Sequence, residues 1–228
     1  MPTASRRPGD AARRPPRTRA EAFDAAVVPP GRCPRCAFPP ELGCLCPEIP
    51  RLEVPYRFVI LRHASEIPRL TNSGRWAALA LAGAVIHDHA RGEETSDGAV
   101  EAVIGAEPAV LLFPSPHAPP VPSPRPTTVV VPDATWAQAR RMVQRLAPLR
   151  TMPRLPLPAA PPPALRLRRP PVAGGLSTLE AIAGALHLLG EPAAAARLGA
   201  LHEAALEKTL RLKGMWPPDR DHHLRSTP

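Results

Sequence analysis

The chain has 228 residues, and its 29 Lys plus Arg against 20 Asp plus Glu give a formal charge of +9. That length supports one main domain with a real core and a small accessory module, and leaves little room for a second full domain. No run of eighteen apolar residues occurs and no apolar h-region follows the Arg- and Pro-rich N-terminus, so neither a membrane span nor a secretory leader is expected and a cytoplasmic protein is the expectation. The basic charge suggests a polyanionic partner, but 27 of the 29 basic residues are Arg and 35 residues are Pro, a skew that a GC-rich genome produces by itself. Residues 1–20 hold six Arg and one Asp, a net +5. Residues 1–28 are expected to be a disordered basic tail, which either adds salt-sensitive attraction to phosphates or merely solubilises the chain.

Residues 29–50 make a Cys- and Pro-rich module too small for a core of its own. Val54–Leu61 reads as a strand, and Thr71 or Asn72 can cap the Ala/Leu-rich helix that follows to about Ala84. Val85–His89 and Ala99–Ile104 are weaker strand candidates. Ala109–Phe113 and Thr127–Val131 are short apolar runs ended by Pro, the pattern of buried parallel strands. A helix is expected over Ala134–Leu146, then short extended segments at Leu149–Leu155 and Ala164–Arg168, whose prolines argue against central positions. Ser177–Leu189 is the clearest helix, with Ser177 and Glu180 at capping-box spacing and Gly190 at its stop. A last helix is expected over Pro192–Lys213, before a tail at 214–228. Strands alternating with helices imply an α/β domain with a mostly parallel sheet over residues 51–213.

All four cysteines lie within fourteen residues, Cys33, Cys36, Cys44 and Cys46, as C-x2-C-x7-C-x-C. Four thiolates around tetrahedral Zn2+ would fold a segment that cannot otherwise fold, and a site closed by four sulfurs is structural. A reducing compartment disfavours disulfides, and the spacing does not support an iron–sulfur cluster.

Asp133 follows an apolar strand and precedes a helix, so it stands either at the carboxyl end of a parallel strand, where α/β folds hold ligands, or as the helix N-cap. Residues alone leave these two readings even. Trp136 reads as core or as a platform for a base, and Arg140, Arg141 and Arg145 as phosphate contacts or a solvated face. Arg62, His63, Glu66, Arg69 and Asn72 gather after the first strand of the main domain, where polar residues mark a site or simply a loop. His87 and His89 would share one side of a strand, but no third ligand supports a metal there.

In one order along the chain stand Cys33-Pro34-Arg35-Cys36 with Cys44-Leu45-Cys46, Leu61-Arg62-His63-Ala64-Ser65-Glu66, Thr71-Asn72-Ser73-Gly74, Leu112-Phe113-Pro114-Ser115, Asp133-Ala134-Thr135-Trp136 and Leu176-Ser177-Thr178-Leu179-Glu180-Ala181. This ordered set, over roughly residues 30–212, resembles the DTW-domain family of tRNA-uridine aminocarboxypropyltransferases. Two departures are Asn72-Ser73-Gly74 in place of Asn-Thr-Gly, and an unusually Pro-rich stretch between Pro114 and Pro126. The resemblance implies a fold similar to the SPOUT methyltransferases, with a mostly parallel sheet, flanking helices and a C-terminal knot. It implies S-adenosylmethionine held around Leu112, Phe113, Pro114 and Ser115, around Thr135 and Trp136, and around Leu176, Ser177, Thr178 and Glu180. The implied partner is tRNA, with His63, Glu66, Arg69, Asn72 and Arg140 as the expected substrate contacts, and the implied reaction passes the aminocarboxypropyl group to position 3 of a uridine. A uracil imide nitrogen becomes a nucleophile only as its proton leaves, and Asp133 is the expected base.

Overall fold

The computed structural model describes residues 28, 30–89, 97–115, 126–156, 167 and 175–217. The basic tail expected over 1–28 lies outside them apart from Val28, as do most of the Pro-rich stretch after Pro114, the Ala164–Arg168 segment apart from Leu167, and the tail beyond residue 217.

Five strands form one parallel sheet: β1 (Arg57–His63), β2 (Val85–His89), β3 (Ala109–Leu112), β4 (Thr128–Asp133) and β5 (Arg154–Leu155), in the order β2-β1-β4-β3-β5. Phe58-Val59-Ile60-Leu61 and Val129-Val130-Val131 are buried on both sides, so neither run shows polar alternation. Phe58, Ile60, Val110, Leu112, Val129 and Val131 pack into one core with α1 (Ser73–Ala80), α5 (Thr178–Leu188) and α6 (Pro192–Leu212). Val59, Leu61, Leu111 and Val130 face the other way, onto α2 (Asp97–Ile104), α3 (Trp136–Arg145) and α4 (Ala147–Thr151).

The expected alternation of strands and helices therefore holds, with one strand in error. Ala99–Ile104 belongs to a helix, whose Val100 and Ile104 fall four residues apart on its buried face. β1 starts later than the apolar run and continues through the polar Arg62 and His63, and the extended segment at Leu149–Leu155 shrinks to Arg154–Leu155. Both capping signals on the C-terminal side are realised: Ser177 and Glu180 bond reciprocally at the start of α5, and Pro192 occupies the first turn of α6.

β1 exits towards β2, whereas β4 exits through α3 and α4 towards β5. The two connections diverge, so the carboxyl ends of β1 and β4 border the crevice where such sheets hold ligands.

Candidate active site at the end of β4

Asp133 is the last residue of β4. Side chains alternate along a strand, so Asp133 shares the face of Val129 and Val131 and points between the first turns of α1 and α5. Asn72 Nδ2 donates to Asp133 Oδ2 at 2.6 Å, and Thr178 Oγ1 donates to Oδ1 at 2.6 Å. Asn72 has a second task, since its Oδ1 accepts the Arg75 N–H at 3.0 Å and caps α1. Ser73 Oγ accepts from the Leu179 N–H at 3.4 Å, which ties the two helix starts together. Gly74 completes the cradle: a Cβ there would stand 2.5 Å from Asp133 Oδ2 and 2.6 Å from Cγ, so only glycine lets α1 approach the carboxylate this closely.

The N-cap reading of Asp133 is overturned. Thr135 caps α3, accepting from the Gln138 N–H while Gln138 Oε1 accepts the Thr135 N–H, which frees Asp133 from any local backbone duty.

Arg62 of β1 stands in register with Asp133 on one side and Asp88 of β2 on the other. Its guanidinium goes to Asp88, with Nε to Oδ1 at 2.6 Å and Nη2 to Oδ2 at 2.8 Å. Among the described residues Asp133 thus keeps only neutral hydrogen-bond donors although it is 3% exposed. Burial pushes its carboxyl above the usual range, the Thr178 and Asn72 hydrogen bonds oppose that, nearby Glu66 reinforces it and Arg62 counters it. Each carboxylate oxygen spends one lone pair on its donor and retains another. The site offers a proton acceptor fixed in place.

The other expected site residues surround this centre at different depths. Glu66 is buried and pairs with Arg69 at 3.3 Å; Arg69 Nε also donates to the Ser65 carbonyl at 3.1 Å. His63 Nδ1 lies 2.9 Å from Ser65 Oγ, to which Gln138 Nε2 donates at 3.1 Å, joining the exits of β1 and β4. Ser177 and Glu180 hold the α5 cap, and Glu180 Oε2 lies 3.7 Å from His202 Nε2 on α6. Leu112 is buried in the core, Leu176 is half-buried just before the α5 cap, Pro114 is exposed and Ser115 is half-buried. The Phe113 and Trp136 rings lie 6.3 Å apart, with the Arg154 guanidinium 5.4 Å from the centre of the Phe113 ring. Arg140 is exposed on α3, in the helix layer opposite that of Asn72 and Thr178. His87 and His89 do share one side of β2, and among the described residues neither joins a cluster of three or more metal-ligating groups. Gly74 stands in the Thr71–Gly74 motif without being expected at the site, and Arg75, Asp88 and Arg154 are not among the expected site residues; of these, Gly74 carries a local signal, a glycine early in a helix next to its cap.

The four cysteines converge. Their sulfurs all lie within 4.8 Å of one another, with Cys36 to Cys44 at 3.4 Å, Cys33 to Cys44 at 3.4 Å and Cys33 to Cys46 at 3.7 Å. A tetrahedron with zinc–sulfur bonds of about 2.3 Å has sulfurs about 3.8 Å apart, whereas a disulfide needs about 2.05 Å. The donor set fits a metal such as zinc. Backbone hydrogen bonding at Cys36 holds Cys33 down to about 6, while burial pushes the Cys36 and Cys46 thiols up, so a cation in the cluster would favour the thiolate forms of Cys36 and Cys46. The Cys36 carbonyl accepts from Trp76 Nε1 at 3.0 Å, and Phe38 packs on Trp76 with ring centres 5.5 Å apart. The cysteine segment is thereby fastened to α1, the helix that cradles Asp133.

The family model described as the DTW domain matches residues 31–210, most of the chain. No solved structure matches it.

Proposed function

The chain belongs to the DTW-domain family, which is associated with tRNA modification, and from that membership we propose that it moves the 3-amino-3-carboxypropyl group of S-adenosylmethionine onto the position-3 nitrogen of a tRNA uridine. The observation that carries this reading is the buried Asp133 carboxylate, clasped by Asn72 and Thr178 at the crevice between β1 and β4 and left without a paired cation among the described residues. In the proposed step Asp133 accepts the imide proton as the nitrogen forms a bond to the terminal carbon of the aminocarboxypropyl chain. The carbon–sulfur bond breaks, its electron pair neutralises the sulfonium, and methylthioadenosine leaves. The sulfonium itself makes the leaving group, so no metal is needed at Asp133.

The loops at Leu112–Ser115, Thr135–Trp136 and Leu176–Glu180 leave the carboxyl ends of β3 and β4 or lead into α5, an arrangement compatible with a SPOUT-like fold, a C-terminal knot and a cofactor seat. In this reading residues 51–213 form the transferase domain, 29–50 a structural zinc module, and 1–28 and 214–228 tails of a cytoplasmic enzyme. His63, Glu66, Arg69, Asn72 and Arg140 are proposed to meet the RNA.

The test incubates the protein with undermodified tRNA and S-adenosylmethionine labelled either in the methyl or in the carboxypropyl portion. Carboxypropyl label in a uridine, with methyl label retained in methylthioadenosine, is expected; methyl label in the nucleoside would make the protein a methyltransferase. RNA binding with neither label transferred would make it a binding module. For the metal, one zinc per chain is expected, and a chelator should lower the melting temperature.

A further inference from the structure

Arg75 lies in the first turn of α1, 7% exposed, directly beside the residues that hold Asp133. Its Nη2 donates to the Ile67 carbonyl at 2.9 Å, which places the guanidinium under the loop that leaves β1. Its Nη1 is buried and finds no hydrogen-bond partner among the described residues. The neighbouring cations are matched, Arg62 by Asp88 and Arg69 by Glu66, whereas no carboxylate pairs with Arg75 among the described residues. A buried guanidinium with an idle donor and no directly paired carboxylate is costly, and a ligand that supplies a carboxylate offsets that cost. Burial depresses its pKa and the positive Arg62 adds to this, while Asp88, Cys36 and Asp133 act in its favour, which locates the group between the cysteine segment and the carboxyl ends of β1, β2 and β4.

We infer that Arg75 receives the α-carboxylate of the aminocarboxypropyl chain while that chain is still attached to its sulfonium donor. The inference rests on the proposed function and deepens it. Because Nη1 is buried, its ligand must insert a small anionic group into the protein; a phosphate on an RNA backbone, carried on a bulky polymer, fits such a position poorly. A pinned carboxylate also removes rotational freedom from the chain, which is what aiming its terminal carbon at a nucleophile requires. Arg75 thereby selects the carboxypropyl arm of the donor for transfer.

Calorimetry on the full chain tests this with three ligands: S-adenosylmethionine, its decarboxylated analogue, and methylthioadenosine, which lacks the arm. The wild type should bind S-adenosylmethionine about tenfold or more tighter than the decarboxylated analogue, as expected for a hydrogen bond between charged groups. Arg75→Gln should lose about that factor for S-adenosylmethionine and hold the other two ligands within about twofold, with Arg75→Lys intermediate. Equal binding of carboxylated and decarboxylated donor by the wild type would overturn the inference even if Arg75→Gln fails to fold. A parallel loss for all three ligands in Arg75→Gln would also overturn it, leaving Arg75 a structural residue. If the wild type binds methylthioadenosine but does not discriminate, this inference alone fails; if it binds none of the three, the proposed function fails and takes the inference with it.

Discussion

Two aspartates flank Arg62 in one lateral row of the sheet, and they meet opposite fates. Asp88 receives the guanidinium in a two-pronged pair, while Asp133, in equivalent register on the other side, receives an amide and a hydroxyl as its only donors among the described residues. A carboxylate matched by a fixed cation holds its charge and holds a strand; one buried among neutral donors holds its charge only reluctantly and takes up a proton more readily. The fold commits Arg62 to β2 and leaves β4 with a carboxyl whose pKa burial has raised. The difference between a bracing group and a proton acceptor lies here in which neighbour the guanidinium chose.

Removing the proton acceptor should have the largest effect. Asp133→Asn keeps a carbonyl oxygen to accept from Asn72 and turns its NH2 towards Thr178 Oγ1, which can accept, so it should fold, yet lose transfer by about 100- to 10000-fold in single-turnover assays. Because burial raises the folded-state pKa of Asp133, its favourable contribution to stability is present below the unfolded value near 4 and disappears as pH rises through the folded value. The asparagine variant should therefore melt no lower than the wild type at neutral pH, a result differential scanning calorimetry will show or refute. Gly74→Ala comes next: the new methyl displaces the carboxylate, lowering transfer about 100-fold and stability by about 1–3 kcal/mol in urea titrations.

Asp88→Asn breaks the asymmetry directly. Arg62, released from its partner, has Asp133 as its remaining in-register acid, and a pairing there should move the acidic limb of the pH–rate profile down by about 1–3 units. An unmoved limb would show that Arg62 does not control Asp133. The smallest effect belongs to Thr178→Val, which removes one neutral donor; it should cost about 1 kcal/mol and move the same limb slightly upward.

Much of this fold is legible in the chain. Buried parallel strands announce themselves as apolar runs between prolines, and both capping boxes are visible at their spacing. Thr135 and Gln138 could have settled the role of Asp133 beforehand, since a chain that already supplies a cap two residues on has no need of an aspartate in that position. Asp97–Ile104 was obscured by its brevity and by Gly98, which weaken a helical period to the point where β-branched residues suggest a strand. The Arg62 pairing, the approach of Gly74 to Asp133 and the idle Arg75 nitrogen depend on register between strands far apart in the chain, and no local pattern encodes that. The Cys cluster was legible in its chemistry, but its attachment to α1 through Cys36 and Trp76 was not.

The most direct measurement is a carbon-13 NMR titration of the Asp133 side-chain carboxyl in the full chain, assigned by its loss in Asp133→Asn. A midpoint clearly above the ordinary aspartate value of about 4 is predicted. A midpoint at or below 4 would mean that the Asn72 and Thr178 hydrogen bonds outweigh burial, and Asp133 would then be a bracing group like Asp88 rather than the proton acceptor of the site.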